Sequence, residues 1–306
     1  MILVADKFGQ LANRLFVFAH FIGWGIEHGV VIANPAFDEY AQYFEGTADD
    51  PWCRYPFRPN SSRNAARSRH RIYRITRLAA RIGNRLKIST PWIGCLDIGW
   101  TESYELGEEE HARVLRSRKL TLVRGWQYRD EASLHKHAHA IRAHFTPRPP
   151  LVQRIDELLG KVRASCDVVV GVHVRRGDYL NFMGGRFYYA PSVYLEVMSK
   201  VRRLFMEREV GFLVCSDEPL ASAFYSTANI HLGHNHLVED LYSFARCDYL
   251  IGPPSTYTMW ASYYGGVPLC LISHPGIDPA LANFELVLPS ERQHARLLEN
   301  IRLVEV

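Results

Sequence analysis

Short apolar runs alternate with longer stretches of helical period along most of this chain. Ile2–Val4 is apolar throughout and predicts a buried strand, closed by the polar turn from Asp6 to Gly9. Residues 11–26 are apolar on nearly every face, which predicts a helix buried around most of its circumference. His28 and Gly29 end that helix, and residues 30–33 read as a second strand. Strand, loop, helix and strand within about 30 residues make one half of a Rossmann-like unit. Residues 34–62 are rich in proline, aromatics and acids and show no period. A helix follows from about 64 to 86, with strands at 93–98 and 120–123. Three prolines within 147–150 cannot continue a helix or a central strand, so a domain boundary is expected there, between 1–148 and 149–306. Beyond it, helices at 151–164, 191–208, 240–246 and 257–264 alternate with strands at 167–174, 210–216, 249–251 and 268–272. This order predicts an α/β fold with a parallel sheet in each domain.

Composition sharpens this picture in two places. A length of 306 residues with 47% hydrophobic residues suits two packed domains and excludes a disordered chain. The formal charge of +4 is unevenly shared: residues 1–150 hold 22 Lys and Arg against 15 Asp and Glu, whereas 151–306 hold 14 against 17. Different partners are expected for the two halves. The six cysteines are scattered without a Cys-X-X-Cys pair and read mostly as small core residues. No apolar run approaches the roughly 20 residues of a membrane span, and the start lacks a leader pattern, so a soluble, cytoplasmic protein is expected.

The strongest chemical signal is Gly171-Val-His-Val-Arg-Arg-Gly-Asp-Tyr179, directly after three valines. Period two places His173 and Arg175 on one face of a strand and Val172 and Val174 on the other. Gly177 permits a sharp turn, and Asp178 stands at the exit. Ligands of open α/β sheets lie beyond the carboxyl ends of the strands. The guanidinium forks of Arg175 and Arg176 match phosphate oxygens, so a diphosphate ligand is expected. A salt-bridge knot closing the strand is the plainer alternative, against which two arginines facing one aspartate leave positive charge in surplus. Three further clusters fall at strand ends: Ser216-Asp217-Glu218, Glu239-Asp240, and Pro253-Pro254-Ser255-Thr256. Each has an ordinary explanation as a helix-dipole partner or an N-cap. Four such clusters at successive strand ends point together to a nucleotide site.

The order of these pieces resembles the bacterial alpha-1,2-fucosyltransferases of glycosyltransferase family 11 and their wider GDP-fucose-using relatives. Phe8-Gly-Gln-Leu-Ala-Asn-Arg-Leu-Phe16 is similar to the family's Gly-X-Leu-Gly-Asn-Gln-X-Phe loop, and His173-Val-Arg-Arg-Gly-Asp178 to its His-X-Arg-Arg-X-Asp motif. Residues 212–217, 239–248 and 255–261 resemble three later segments, whereas about 35–120 is unmatched. The resemblance implies a GT-B-like fold of two Rossmann-like domains facing across a cleft, with the acceptor on the first and GDP-fucose on the second. It implies that Arg175, with Arg176 and Asp217 beside it, binds the β-phosphate and stabilises departing GDP. His173 and Asp240 would lie along the nucleoside, Ser255 or Thr256 would meet the phosphates, and Asn13 would close over the sugar. No cofactor or metal is implied, since arginine can neutralise the leaving group. The implied reaction inverts the anomeric carbon. Asp178 is the candidate base, although an aspartate beside two arginines is a weak one and could instead orient them. Ala12 stands where the family has Gly, Arg14 where it has Gln, and Met259 where it has Trp. These departures keep open another deoxyhexose, or a GDP-sugar binder without turnover. A sulfotransferase would want its phosphate loop after the first strand, and here the arginines come in the second domain.

Residues 54–87 contain ten arginines, one lysine and no acid. Arg63, Arg67, Arg71, Arg74, Arg77, Arg81 and Arg85 recur at helical spacing, and Ile72, Ile75, Ala79, Ile82 and Leu86 form a second stripe about 120° away. The apolar stripe is expected to dock and the helix 63–86 to present its arginines outward. That row is either a solvated face or a contact with anionic lipid at the inner membrane face, near a lipid-linked acceptor. Nucleic acid is disfavoured, because only Tyr73 interleaves with the arginines. His135, His137, His139 and His144, and again His231, His234 and His236, lack zinc-like spacing. Trp126 and Tyr128 follow a strand and could stack on a sugar acceptor, with core packing the alternative for Trp126.

Overall fold

A computed structural model describes residues 1–58, 65–99, 101–220, 222–225 and 229–287. They form two units, Met1–Arg148 and a second that opens at Pro149. The first unit runs β1 (Ile2–Val4), α1 (Leu11–His28), β2 (Ile32–Ala33), β3 (Arg54–Tyr55), α2 (Ala65–Arg85), β4 (Ile93–Asp97), β5 (Tyr104–Glu105), α3 (Glu109–Arg116), β6 (Leu120–Arg124), β7 (Tyr128–Arg129), α4 (Glu131–Lys136) and α5 (Ala138–His144). Its main sheet has the order β3-β2-β1-β6-β4, parallel except for β3. The apolar circumference of α1 buries Leu11, Leu15, Phe18, Phe21, Ile22 and Trp24 completely. Gly29 ends the helix in the left-handed conformation, its amide donating to the carbonyls of Gly25 and Ile26. The histidines of 135–144 do not share one helix, because the backbone turns at His137 between α4 and α5.

The docking face of α2 differs from the expected one. Tyr73, Thr76 and Ala80 are buried, whereas Ile75, Ala79, Ile82 and Leu86 are exposed and Ile72 is half-buried. The reason lies in what the rest of the unit offers. Gly83 lets the helix come so close that a Cβ there would lie 2.3 Å from Cys95 Sγ. Lys7 sits 4.3 Å over the Tyr73 ring, Arg77 pairs with Asp6 at 3.1 Å, and Arg69 donates to the Ala48 carbonyl at 2.9 Å. Polar anchors and small residues hold this helix, and its apolar stripe remains in water. Arg63 of the predicted stripe lies outside the described residues.

The second unit runs α6 (Pro149–Arg163), β8 (Val168–Val174), α7 (Pro191–Arg203), β9 (Val210–Ser216), α8 (Ser222–Tyr225), β10 (Ile230–Leu232), α9 (Leu237–Phe244), β11 (Tyr249–Gly252), α10 (Thr256–Gly265) and β12 (Leu269–Leu271). The prolines at 149 and 150 start α6, since a first helical turn needs no N–H from them. All five strands are parallel in the order β10-β9-β8-β11-β12. Every residue of β8 is buried, which is why the strand reads as a near-continuous run of valines. Val168, Val170, Val172 and Val174 face a core with Tyr194, Val197, Phe212 and Ile251. Burying each such side chain stabilises the unit by about 1.5–3 kcal/mol. On the other face, Gly171 admits the side chains behind it: a Cβ there would lie 2.6 Å from Leu250, 2.7 Å from Phe244 and 3.2 Å from Cys247 Sγ. All six cysteines are free thiols, and no described helix is long and apolar enough to cross a membrane.

Candidate functional site

In the second sheet β8 is flanked by β9 on one side and β11 on the other, so the strand order reverses between β8 and β11. A crevice outside the carboxyl ends of the strands opens at such a switch point. Arg175 and Arg176 leave the end of β8 there, and Pro253-Pro254-Ser255 leaves β11. Tyr179 ties the two loops together: its hydroxyl donates to the Pro254 carbonyl, and Arg175 lies 5.5 Å over its ring. Ser255 caps α10, its Oγ accepting the Tyr257 amide at 3.2 Å, while Thr256 is the first helical residue and half-buried.

The two arginines have different surroundings. Arg175 pairs with Asp178 at 2.7 Å and with Asp217 at 2.9 Å, its side chain 15% exposed. Asp217 comes from the end of β9 and also accepts the Arg176 backbone amide at 2.9 Å. Gly177 is required by this packing, because a Cβ would lie 2.6 Å from Asp217 Oδ2. Arg176 pairs with Glu218 at 3.2 Å, stacks 4.5 Å over Tyr188 and bonds its hydroxyl. The expected surplus of positive charge is therefore corrected: Asp217 and Glu218 join Asp178 around the two guanidiniums. Asp178, whose side chain is 56% exposed, is the least embedded of the three carboxylates.

His173 and Asp240 are buried nearby. The imidazole of His173 lies 4.9 Å from the Tyr257 ring and 6.0 Å from Phe244, and its Nδ1 has no hydrogen-bond partner among the described residues. Burial, reinforced by the Arg175 charge, lowers its pKa to about 3, so the ring is neutral. Asp240 accepts the His234 amide at 2.9 Å, and burial raises its carboxyl to about 6. Burial would also raise Glu239, but hydrogen bonds from Arg154 and His234 outweigh it and hold that carboxyl low. His234 and His236 thus face Glu239, and His231 faces Ser165. Among the described residues no group of three His, Cys, Asp or Glu is placed to hold a metal.

The remaining predicted residues lie in the first unit. Asn13 stands in the first turn of α1 against Gly9, where a Cβ would meet its Nδ2 at 2.0 Å. Arg14 is matched by Glu39 at 2.7 Å, and Ala12 is buried. Trp126 is half-buried, with Arg129 5.6 Å from its ring centre. Tyr128 is corrected: it is fully buried, its hydroxyl donating to the Arg124 carbonyl at 2.7 Å, which makes it core and not an acceptor surface. Sequence reasoning missed the aromatic frame of Tyr179, Tyr188 and Tyr257. Tyr179 ends the quoted motif, and a guanidinium so close in sequence to a tyrosine was the available signal.

The sequence model of glycosyl transferase family 11 matches residues 131–271, which include the clusters at the ends of β8, β9 and β11. Against curated protein sequences the chain has no match. Among solved structures it is similar to a mutant of FUT1 from Arabidopsis thaliana in complex with GDP, with a TM-score of 0.57 at 12% identity over 92% of this chain and 73% of that one. It is similar to the fucosyltransferase NodZ from Bradyrhizobium, with a TM-score of 0.54 at 15% identity over 91% and 99%. POFUT1 in complex with GDP gives 0.54 at 10% identity over 90% and 99%. These likenesses bear out the two-unit α/β fold of GT-B type.

Proposed function

We propose that this chain, whose residues 131–271 match the model of glycosyl transferase family 11, is a glycosyltransferase that moves L-fucose from GDP-fucose to a hydroxyl of a glycan, with inversion and without a metal. The observation that carries this reading is Arg175 at the switch point, held between Asp217 and the half-exposed Asp178. The structural relatives in complex with GDP, and NodZ soaked with GDP-fucose, support the choice of nucleotide.

In this reading the donor diphosphate takes the Nη2 edge of Arg175 and displaces the Asp178 carboxylate. Asp217 keeps hold of Nη1, so the guanidinium is already oriented when charge develops. Backbone amides at the start of α10, beside Ser255 and Thr256, add donors for the phosphates. Neutral His173 and buried Asp240 bound the nucleoside, the imidazole as a hydrogen-bonding group and not as a cation. The acceptor oxygen attacks the anomeric carbon as its bond to the β-phosphate oxygen breaks. That electron pair leaves with GDP, and the hydroxyl proton passes to Asp178, which the phosphate has released from Arg175.

Calorimetric titration in EDTA with GDP, GDP-fucose, GDP-mannose and UDP sugars tests the donor. Binding of GDP and GDP-fucose in preference to the others is expected; no guanine nucleotide bound would sink the reading. Asp178→Asn separates the roles of that residue. Retained GDP affinity with turnover down by about 10²-fold or more fits a general base, whereas joint loss of affinity and turnover assigns Asp178 to holding Arg175.

A further inference from the structure

The exposed side of α2 carries two adjoining arcs. At 100° per residue, Ile75, Leu78, Ala79, Ile82 and Leu86 fall within an arc of about 100°, and Arg67, Arg74, Arg81 and Arg85 fill the flank beside it, with Arg71 just inside the apolar arc. The apolar arc is open to solvent: Ile75 is 67% exposed, Leu78 60%, Ile82 50% and Leu86 67%. Just beyond the helix Trp92 is 61% exposed, with the Lys119 ammonium 3.8 Å over its ring. Among the described residues none of these five arginines has a carboxylate partner, in contrast to Arg77, which pairs with Asp6.

We propose that α2 docks this protein on an anionic lipid bilayer, its apolar arc entering the acyl boundary and its arginines meeting the headgroups. This inference does not depend on the donor or the reaction. Charge decides between possible occupants. Residues 54–87 hold no acid, so a second copy packed symmetrically on the same face would set arginines against arginines. A nucleic acid would satisfy the arginines and leave four large aliphatic side chains in water. Only a negatively charged surface with an apolar interior matches both arcs at once.

Co-sedimentation of the full chain with vesicles tests the proposal. Binding is expected to an equal mixture of phosphatidylcholine and phosphatidylglycerol, about tenfold weaker or more to phosphatidylcholine alone, and weakened by salt. Replacing Arg71, Arg74, Arg81 and Arg85 by Gln, or Ile75, Leu78 and Ile82 by Ser, should each lower vesicle binding by about tenfold or more. Both variants alter exposed positions and should keep the wild-type circular dichroism and melting. If either fails to fold, the lipid and salt dependence of the wild-type chain decides the matter. Absence of vesicle binding, equal binding to both lipid compositions, or binding untouched by both folded variants overturns the proposal. So does a dimer in light scattering that the Ser variant dissociates while vesicles are ignored, or capture of duplex DNA in place of vesicles.

Discussion

Arg175→Ala is expected to lower kcat by about 10³-fold and to weaken GDP binding, whereas Arg175→Lys retains part of both. The alanine variant loses more than an attraction. Arg175 stands between Asp178 and Asp217, so its removal leaves two carboxylates facing the incoming diphosphate with no cation between them. Lysine restores one charge but cannot hold Asp217 on one edge while offering the other to a phosphate, because it lacks the planar fork. Arg176→Ala provides the contrast. Its guanidinium is taken up by Glu218 and Tyr188, so the loss should be smaller and should appear partly as lowered stability. Steady-state kinetics with GDP calorimetry on all three variants checks this order. Turnover of Arg175→Ala within tenfold of wild type would remove the residue from the leaving-group role.

The second large effect is on stability as a function of pH. His173 and His144 are buried and neutral, each with a pKa lowered by burial to about 3. An unfolded chain protonates both below about pH 6.5, so their contribution is present above that pH and is lost as pH falls toward 3. Asp240 acts in the opposite sense. Its carboxyl is raised from 3.8 to about 6 by burial, so the stability it adds is full below pH 3.8 and is lost as pH rises through about 6. At pH 4.5 the two histidines cost about 5 kcal/mol relative to pH 7, and Asp240 returns about 2 kcal/mol, leaving a net loss of about 3 kcal/mol. Urea melts across this range should show that slope. Asp240→Asn removes the opposing group: it should exceed wild type by about 3 kcal/mol at pH 8, with the gap closing near pH 4. An asparagine can still accept the His234 amide through its oxygen, so the fold is retained. A gap that did not narrow on acidification would show that the Asp240 carboxyl is not the titrating group. Where Asp240 also meets the nucleoside, the stabler variant should bind GDP less well, separating its two roles.

How much of this could be read beforehand depended on the range of the interactions involved. Residues Gly171 to Tyr179 announced a buried strand ending in charge because valine alternation, glycine and the arginines are all local signals. The helix 11–28 was legible for the same reason, its apolar residues covering every face and Gly29 stopping it. The charge balance around Arg175 was not legible. Asp217 and Glu218 arrive from β9, some forty residues later, and only the parallel register of β8 with β9, Val174 opposite Ser216, sets them beside the guanidiniums. Tyr128 followed a strand as an acceptor residue would, yet the packing of α1 against β7 puts its ring in the core 4.9 Å from Phe21. In α2 the sequence determined a helix with one basic and one apolar stripe, but not which face would dock. Asp6, Lys7, Ala48 and Cys95 decided that, because helical period is a property of a segment while burial is a property of what lies opposite it.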